Sequence, residues 1–493
     1  MVKAFLLLCT FILSFALRAA EPGVFAFHRE GVLGTSLDLQ VVVSDAQQAA
    51  TAESAVLAEI ERLRKILSTY DPASEISRLN AATGTVPCSR ELLDVLAAYD
   101  WWNAKSGGAY NGHLGDLVRL WRAAENMGAM PDPAVLQRTV SVLRVPAWKL
   151  DAAAKTVTRT TAQMLNVDSL GKGYIISKAM VVARAKAPQG FLLNIGGDIF
   201  AGGRAWTIGI ADPKRSADNS PPLTRVNLKD LAISTSAAYE RGYTIGGRRY
   251  SHIFDPRTGY PAAGTASATV IASNNAVANA LATTLCVLKP DEGLAFAKTI
   301  PGIECLIVAP DGRQLRTANF AKIEDHPPTA TATPQTAKPG AWPNGFQVTL
   351  ALTLKAPTGA GAKRVKRPYV AVWIEDADGK RVRTVAVWGN QRKYMPDLRE
   401  WWKVAREDEQ WAASITRATR SAGQHRIAWD GMDDKGGPLP LGTYTVVLEV
   451  NREHGTYSLE RGTIVCAKAP AQGKIPGSAE FEEAQIVFGP ATQ

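Results

Sequence analysis

Four short segments hold residue types that could manage an anion and a cation together. In Asn194-Ile195-Gly196-Gly197-Asp198 an apolar run meets paired glycines, which let backbone N–H groups approach an anion closely. In Asp168-Ser169-Leu170-Gly171-Lys172-Gly173-Tyr174 two glycines flank Lys172, whose ammonium could neutralise a phosphate. His252, one of six histidines, precedes the turn signal Asp255-Pro256-Arg257-Thr258-Gly259. Asn279 and Thr283 are four residues apart on a predicted helix, so their oxygens share one face, a pattern that suits a hard cation. Each segment also has a plain structural reading: a tight turn, a capped helix start, a packing histidine, ordinary helix polarity. General catalytic signatures (GxSxG, HExxH, a Walker A loop, GxGxxG) are absent from the sequence.

These segments need a scaffold that mixes helices and strands. Val56, Ile60, Leu63 and Leu67 recur at helical spacing over residues 52–67. Ser89 is placed to cap a second helix carrying Leu92, Leu93, Leu96 and Tyr99. Residues 191–195 and 206–210 read as buried strands around a glycine turn, and 276–288 reads as a third helix. Here Asn279 and Thr283 lie roughly opposite the apolar stripe of Val277, Leu281, Thr284 and Leu288.

Beyond residue 345 the pattern changes to strands: 347–354, 369–373, 382–388, 425–429, 443–450 and 457–465. Asp376-Ala377-Asp378-Gly379 marks a hairpin between two of them. A charged stretch over 398–415 reads as helical, and Trp401-Trp402 within it could dock a partner. The expected fold class is therefore an α+β N-terminal module followed by an all-β, sandwich-like C-terminal domain with a helical insertion.

Composition bounds the rest. The 493 residues suit two to four domains, and 46% hydrophobic content excludes disorder throughout. Lys3 followed by an apolar run to Leu17 and small residues at Ala19-Ala20 reads as a secretory signal over 1–20. The expected layout is that signal, a module over 21–324, a Pro/Thr/Ala-rich linker over 325–345 and a β domain over 346–493. The net charge of +10 is spread along the chain: 33 Lys/Arg face 29 Asp/Glu over 21–340, and 21 face 17 beyond. No concentrated basic tail points to nucleic acid. Cys88, Cys286, Cys305 and Cys466 form no CxxC, so a zinc or thioredoxin-type site is not expected.

In this order and spacing, the segments resemble the FAD:protein FMN transferases, the ApbE family of flavin-attaching enzymes. The likeness covers roughly residues 30–310. Leu67-Ser68-Thr69-Tyr70, Ser106-Gly107-Gly108-Ala109-Tyr110, the 193–198 and 206–213 segments and 252–261 carry it. The resemblance implies a magnesium-dependent reaction that cleaves FAD, releases AMP and leaves FMN on a Thr or Ser of a target protein. It places Tyr70, Ala109, Tyr110, Asn111, Asp168, Lys172, Tyr174 and His252 around FAD. It gives the Gly171 carbonyl and the side chains of Asn279 and Thr283 to Mg²⁺, and makes His252 the acid/base candidate or else a phosphate contact. Expected partners are FAD and a flavin-accepting protein of an electron-transfer chain in the periplasm. No nucleic acid is expected, and membrane contact only through a partner or an uncleaved signal.

The sequence departs from the family at several points. Asn279 stands where the family has a metal-binding aspartate, Ala237-Ala238 where it has Gly-Asp, and Leu33 where it has Met. Asn111-Gly112-His113 replaces an Asp-Pro-Thr. Two other readings therefore stay open: hydrolysis of FAD to FMN and AMP, and non-catalytic FAD binding. The C-terminal segment, through Trp429-Asp430-Gly431 and 438–444, resembles the uncharacterised periplasmic family DUF2271.

Overall fold

The structure is a computed structural model. It describes residues 22–214, 222–238, 242–325, 342–343, 345–356, 367–389, 392–408, 412, 416–417, 419–420, 422–452 and 455–490. The expected signal and most of the expected linker lie outside these residues. Among the described residues, no helix is long and apolar enough to cross a membrane.

An eight-stranded antiparallel sheet organises the N-terminal part. Its order is Gly23–Val32, Thr35–Val43, Phe191–Ile195, Asp198–Gly202, Leu231–Ala237, Ser267–Ala272, Glu304–Val308 and Gln314–Arg316. The helices are α1 (Ala46–Leu67), α2 (Glu75–Ala81), α3 (Arg90–Lys105), α4 (Gly115–Met127), α5 (Pro133–Leu143), α6 (Asp168–Lys186), α7 (Asn275–Val287) and α8 (Pro290–Ala297). Asp45 caps α1 by accepting from the Gln48 N–H, and Ser89 caps α3 as its sequence signal predicts. One sheet face, through Leu37, Leu39, Leu193 and Val270, packs on α1, α6 and α7. The opposite face, through Val42, Ala201, Ile233 and Ile271, packs on a two-stranded ribbon of Trp206–Ile210 and Thr224–Leu228.

Two expectations change here. The glycine turn joins Phe191–Ile195 to Asp198–Gly202, while Trp206–Ile210 leaves the main sheet for the ribbon. α7 is also more buried than an amphipathic helix: Leu281, Thr284, Leu288 and Asn279 are all buried, because the helix packs between the sheet and α6, while Val277 and Thr283 are half-buried. Gly173 is the contact point between α6 and α7. A Cβ there would lie 2.6 Å from the Asn275 carbonyl, so only glycine lets the two backbones meet.

The C-terminal part is a sandwich, as expected. One sheet orders Gly423–Trp429, Phe346–Leu354, Ala484–Pro490 and Ala471–Ile475. The other orders Thr416–Arg417, Arg381–Trp388, Tyr369–Glu375, Gly442–Asn451 and Tyr457–Cys466. Val348, Leu350 and Phe488 of the first meet Val372, Trp388 and Leu448 of the second in one core. Within the expected helical insertion, α9 covers Arg399–Ala405 and ends before residues 406–408, while 409–411 and 413–415 lie outside the described residues. Trp401 is 0% exposed and fills a core under the second sheet, so it is a packing residue and not a docking surface. Among the described residues, the four cysteines are buried and form no disulfide.

Candidate functional site

Three elements meet at Asp198. This residue opens the strand that follows Gly196-Gly197, whose φ values of 53° and 89° make the tight turn. Its carboxylate is 4% exposed and receives Lys172 Nζ of α6 at 2.7 Å and Asn279 Nδ2 of α7 at 3.1 Å. Lys172 also donates to the Gly196 carbonyl at 3.2 Å, so its charge sits against the glycine turn. The turn is itself fixed, since Gly197 N–H donates to Asn194 Oδ1 and Asn194 Nδ2 donates to Asp38.

One helical turn beyond Asn279, Thr283 Oγ1 lies 3.3 Å from Ser236 Oγ of the adjacent Leu231–Ala237 strand. Asn279 is 9% exposed, and its Oδ1 has no hydrogen-bond partner among the described residues. Ser234 Oγ and Asn275 Oδ1, buried in the same helix–strand seam, are also unpartnered. Three buried oxygens without donors in one seam are uncommon, because each forgoes its hydration. Among the described residues, no three His, Cys, Asp or Glu side chains converge as a metal cluster.

At its start, α6 is tied to two other segments. Asp168 accepts from Thr69 Oγ1 at 2.7 Å and is also hydrogen-bonded by Tyr70. Burial raises its carboxyl above the usual range, and these hydrogen bonds oppose that. Ser169 Oγ meets the hydroxyls of Tyr99 (2.9 Å) and Tyr110 (2.8 Å), whose rings stack with centroids 5.2 Å apart. Burial pushes the Tyr99 hydroxyl up to about 12 and Tyr110 well above its ordinary value.

The expected aromatic contacts therefore divide. Tyr70 is 86% exposed and presents its ring openly. Tyr110 is 2% exposed, and Tyr174 is buried with its hydroxyl donated to Asp94. Both rings are spent on packing. Ala109 is buried, and Asn111 is fixed by donating to the Leu143 carbonyl and accepting from His113 N–H. The Gly171 backbone is buried in α6 beside Leu67. His252 is half-buried and opens a turn segment in which Asp255 pairs with Arg257 at 2.8 Å. That turn is anchored by Trp121 Nε1 donating to the Gly259 carbonyl at 2.9 Å.

Asp198 is the central residue that sequence reasoning did not assign to the site. Its signal was its place directly after the paired glycines. Its pairing with Lys172, 26 positions upstream, has no sequence signature.

Residues 33–307 match the family described as "ApbE family", and the chain belongs to it. Residues 349–483 match "Predicted periplasmic protein (DUF2271)". The FAD:protein FMN transferase of Treponema pallidum is 30% identical over 314 residues, 59% of this chain and 86% of the relative. One from Klebsiella pneumoniae is 28% identical, covering 52% and 81%. The solved ApbE protein of Thermotoga maritima aligns with TM-score 0.56 and 26% identity over 62% of this chain and all of its own. The Pseudomonas stutzeri flavinyl transferase ApbE, apo form, gives 0.53 and 27%, covering 61% and 97%.

Proposed function

We propose that this flavin transferase cleaves FAD with the help of Mg²⁺ and attaches FMN to a Thr or Ser hydroxyl of an exported electron-transfer protein. The observation that carries the reading is Asn279 Oδ1, buried and unpartnered beside the Lys172–Asp198 pair. The donor set fits a hard cation: an amide oxygen, a hydroxyl one helical turn away and, by family resemblance, the Gly171 carbonyl. Bound there, Mg²⁺ supplies charge neutralisation on the pyrophosphate.

The protein's own groups do the rest. Tyr70 offers an open ring to a flat part of FAD, with Asp168 holding its hydroxyl. By family resemblance, Ala109, Tyr110, Asn111 and Tyr174 also lie around FAD. Lys172 and the Gly196-Gly197 turn lie where the pyrophosphate passes. The acceptor oxygen bonds to the FMN phosphorus, the bond to AMP breaks, and His252 takes the hydroxyl proton.

Export rests on the signal-like residues 1–20 and on the periplasmic description matched by the C-terminal segment. With it goes the layout of transferase domain 21–324, linker 325–345 and β domain 346–493. The test is intact mass spectrometry after incubation with FAD, Mg²⁺ and a candidate acceptor. The expected result is an acceptor heavier by FMN, with AMP released. FMN and AMP without an adduct would replace the reading with hydrolysis. Bound but intact FAD would replace it with a non-catalytic role.

A further inference from the structure

We infer that Asp198 is a positioning residue for the cation site, and that it carries the negative charge which residue 279 lacks. The inference rests on the metal reading above. An amide side chain has a donor end and an acceptor end, whereas an ionised carboxylate only accepts. Asp198 Oδ2 takes the donor end of Asn279 at 3.1 Å, which fixes the amide's orientation. Oδ1 is thereby left as the end turned away from Asp198, buried and without a partner. A ligand whose far end is bonded to a carboxylate is held in place and made a better donor.

The same carboxylate accounts for the charge. With a neutral amide at 279, the anionic side chain bonded to that ligand is Asp198, itself 4% exposed. Lys172 Nζ, 2.7 Å away, neutralises it while no cation is present. The anion has moved one hydrogen bond back from the ligand position. The lysine then competes with the cation for it, so Lys172 weakens cation binding as well as serving FAD.

The test uses the full chain without FAD, with Mn²⁺ as the probe, read by the paramagnetic signal of free Mn²⁺. Asp198→Asn keeps an oxygen acceptor and loses the charge, and should weaken Mn²⁺ binding by about 10–100-fold. The double variant Asp198→Asn/Asn279→Asp moves the carboxylate onto the ligand position and should recover to within about threefold of wild type. A merely structural role for Asp198 gives no such recovery. Lys172→Met removes the competing charge and should tighten Mn²⁺; it keeps the test usable if Asp198→Asn does not fold. Unchanged affinity in Asp198→Asn or in Lys172→Met, or no recovery in the double variant, overturns the inference while the metal reading stands. Absence of Mn²⁺ binding by the wild type ends both.

Discussion

In the C-terminal sandwich, Glu449 is 0% exposed, and its carboxylate accepts from Glu400 N–H (2.9 Å), Trp401 N–H (2.8 Å) and the Tyr457 hydroxyl (2.8 Å). Two of these donors are orphan N–H groups in the first turn of α9, so the carboxylate fastens that helix to the sheet. In the transferase part, Asn279 is nearly as buried and lies in a similar helix–sheet seam, yet half of its amide is left unmatched. Burial alone does not separate a structural polar group from a functional one. What differs is whether the hydrogen bonds close within the protein: Glu449 has its donors, and Asn279 Oδ1 has none among the described residues.

Glu449→Ala tests that contrast with the largest expected effect. It strands one buried and two part-buried donors, and unfolding in denaturant should show a loss of about 3–5 kcal/mol. Mn²⁺ binding should be unchanged wherever the variant remains folded. A small loss would mean that water replaces the carboxylate and that α9 is held by Trp401 packing instead.

Asn279→Asp is the counterpart. The new carboxylate would sit against Asp198, where the amide now donates. Without a cation the variant should lose about 1–3 kcal/mol, because Lys172 would have to serve two buried acceptors. Mg²⁺ should return that stability, so the rise in Tm on adding Mg²⁺ should exceed that of wild type. Equal rises in both proteins would place the metal elsewhere.

This contrast also shows what the sequence could and could not say. The glycine turn, the Gly171-Lys172-Gly173 helix start, the 255–259 turn and the Asn279/Thr283 pair were legible because each is a local pattern of backbone or helical spacing. Six of the sandwich strands were legible for the same reason, but Ala484–Pro490, as long as two of those six, was not read. The strand Ala471–Ile475 was not, since Gly473 and Lys474 interrupt any apolar alternation. Asn279 read as a helix's polar face because α7 shows a clear stripe. Its burial comes from α6 and the sheet, which are distant in sequence. Asp198 was hidden for the same reason: its partners come from two helices, and long-range pairing leaves no period.

Asp168 gives a pH test. Burial raises its carboxyl above 3.8, so the folded protein holds this proton more tightly than the unfolded chain does. That contribution is present in acid and lost as pH rises through the raised folded value. Asp168→Asn carries no such penalty, and its oxygen can still accept from Thr69. From about pH 4 to about pH 7, the variant should therefore gain stability relative to wild type, as read by urea unfolding. A difference that does not change with pH would mean that the Thr69 and Tyr70 hydrogen bonds cancel the cost of burial.

Ser234→Ala is expected to change least, and that is its value. Ser234 is 1% exposed on the Leu231–Ala237 strand, and its Oγ has no partner among the described residues. Removing a hydroxyl that bonds to nothing relieves an unmet desolvation cost and opens only a small void. Stability without Mg²⁺ should stay within about 0.5 kcal/mol of wild type, as for substitutions that break no interaction. Ser234 lies two residues from Ser236, on the strand face that meets α7, so it belongs to the same seam as Asn279. A loss above about 1 kcal/mol, the usual worth of one hydrogen bond, would show that the hydroxyl has a partner, such as a bridging water. The seam would then be closed in the way Glu449 closes its own, and the open oxygen of Asn279 would lose its claim to a cation.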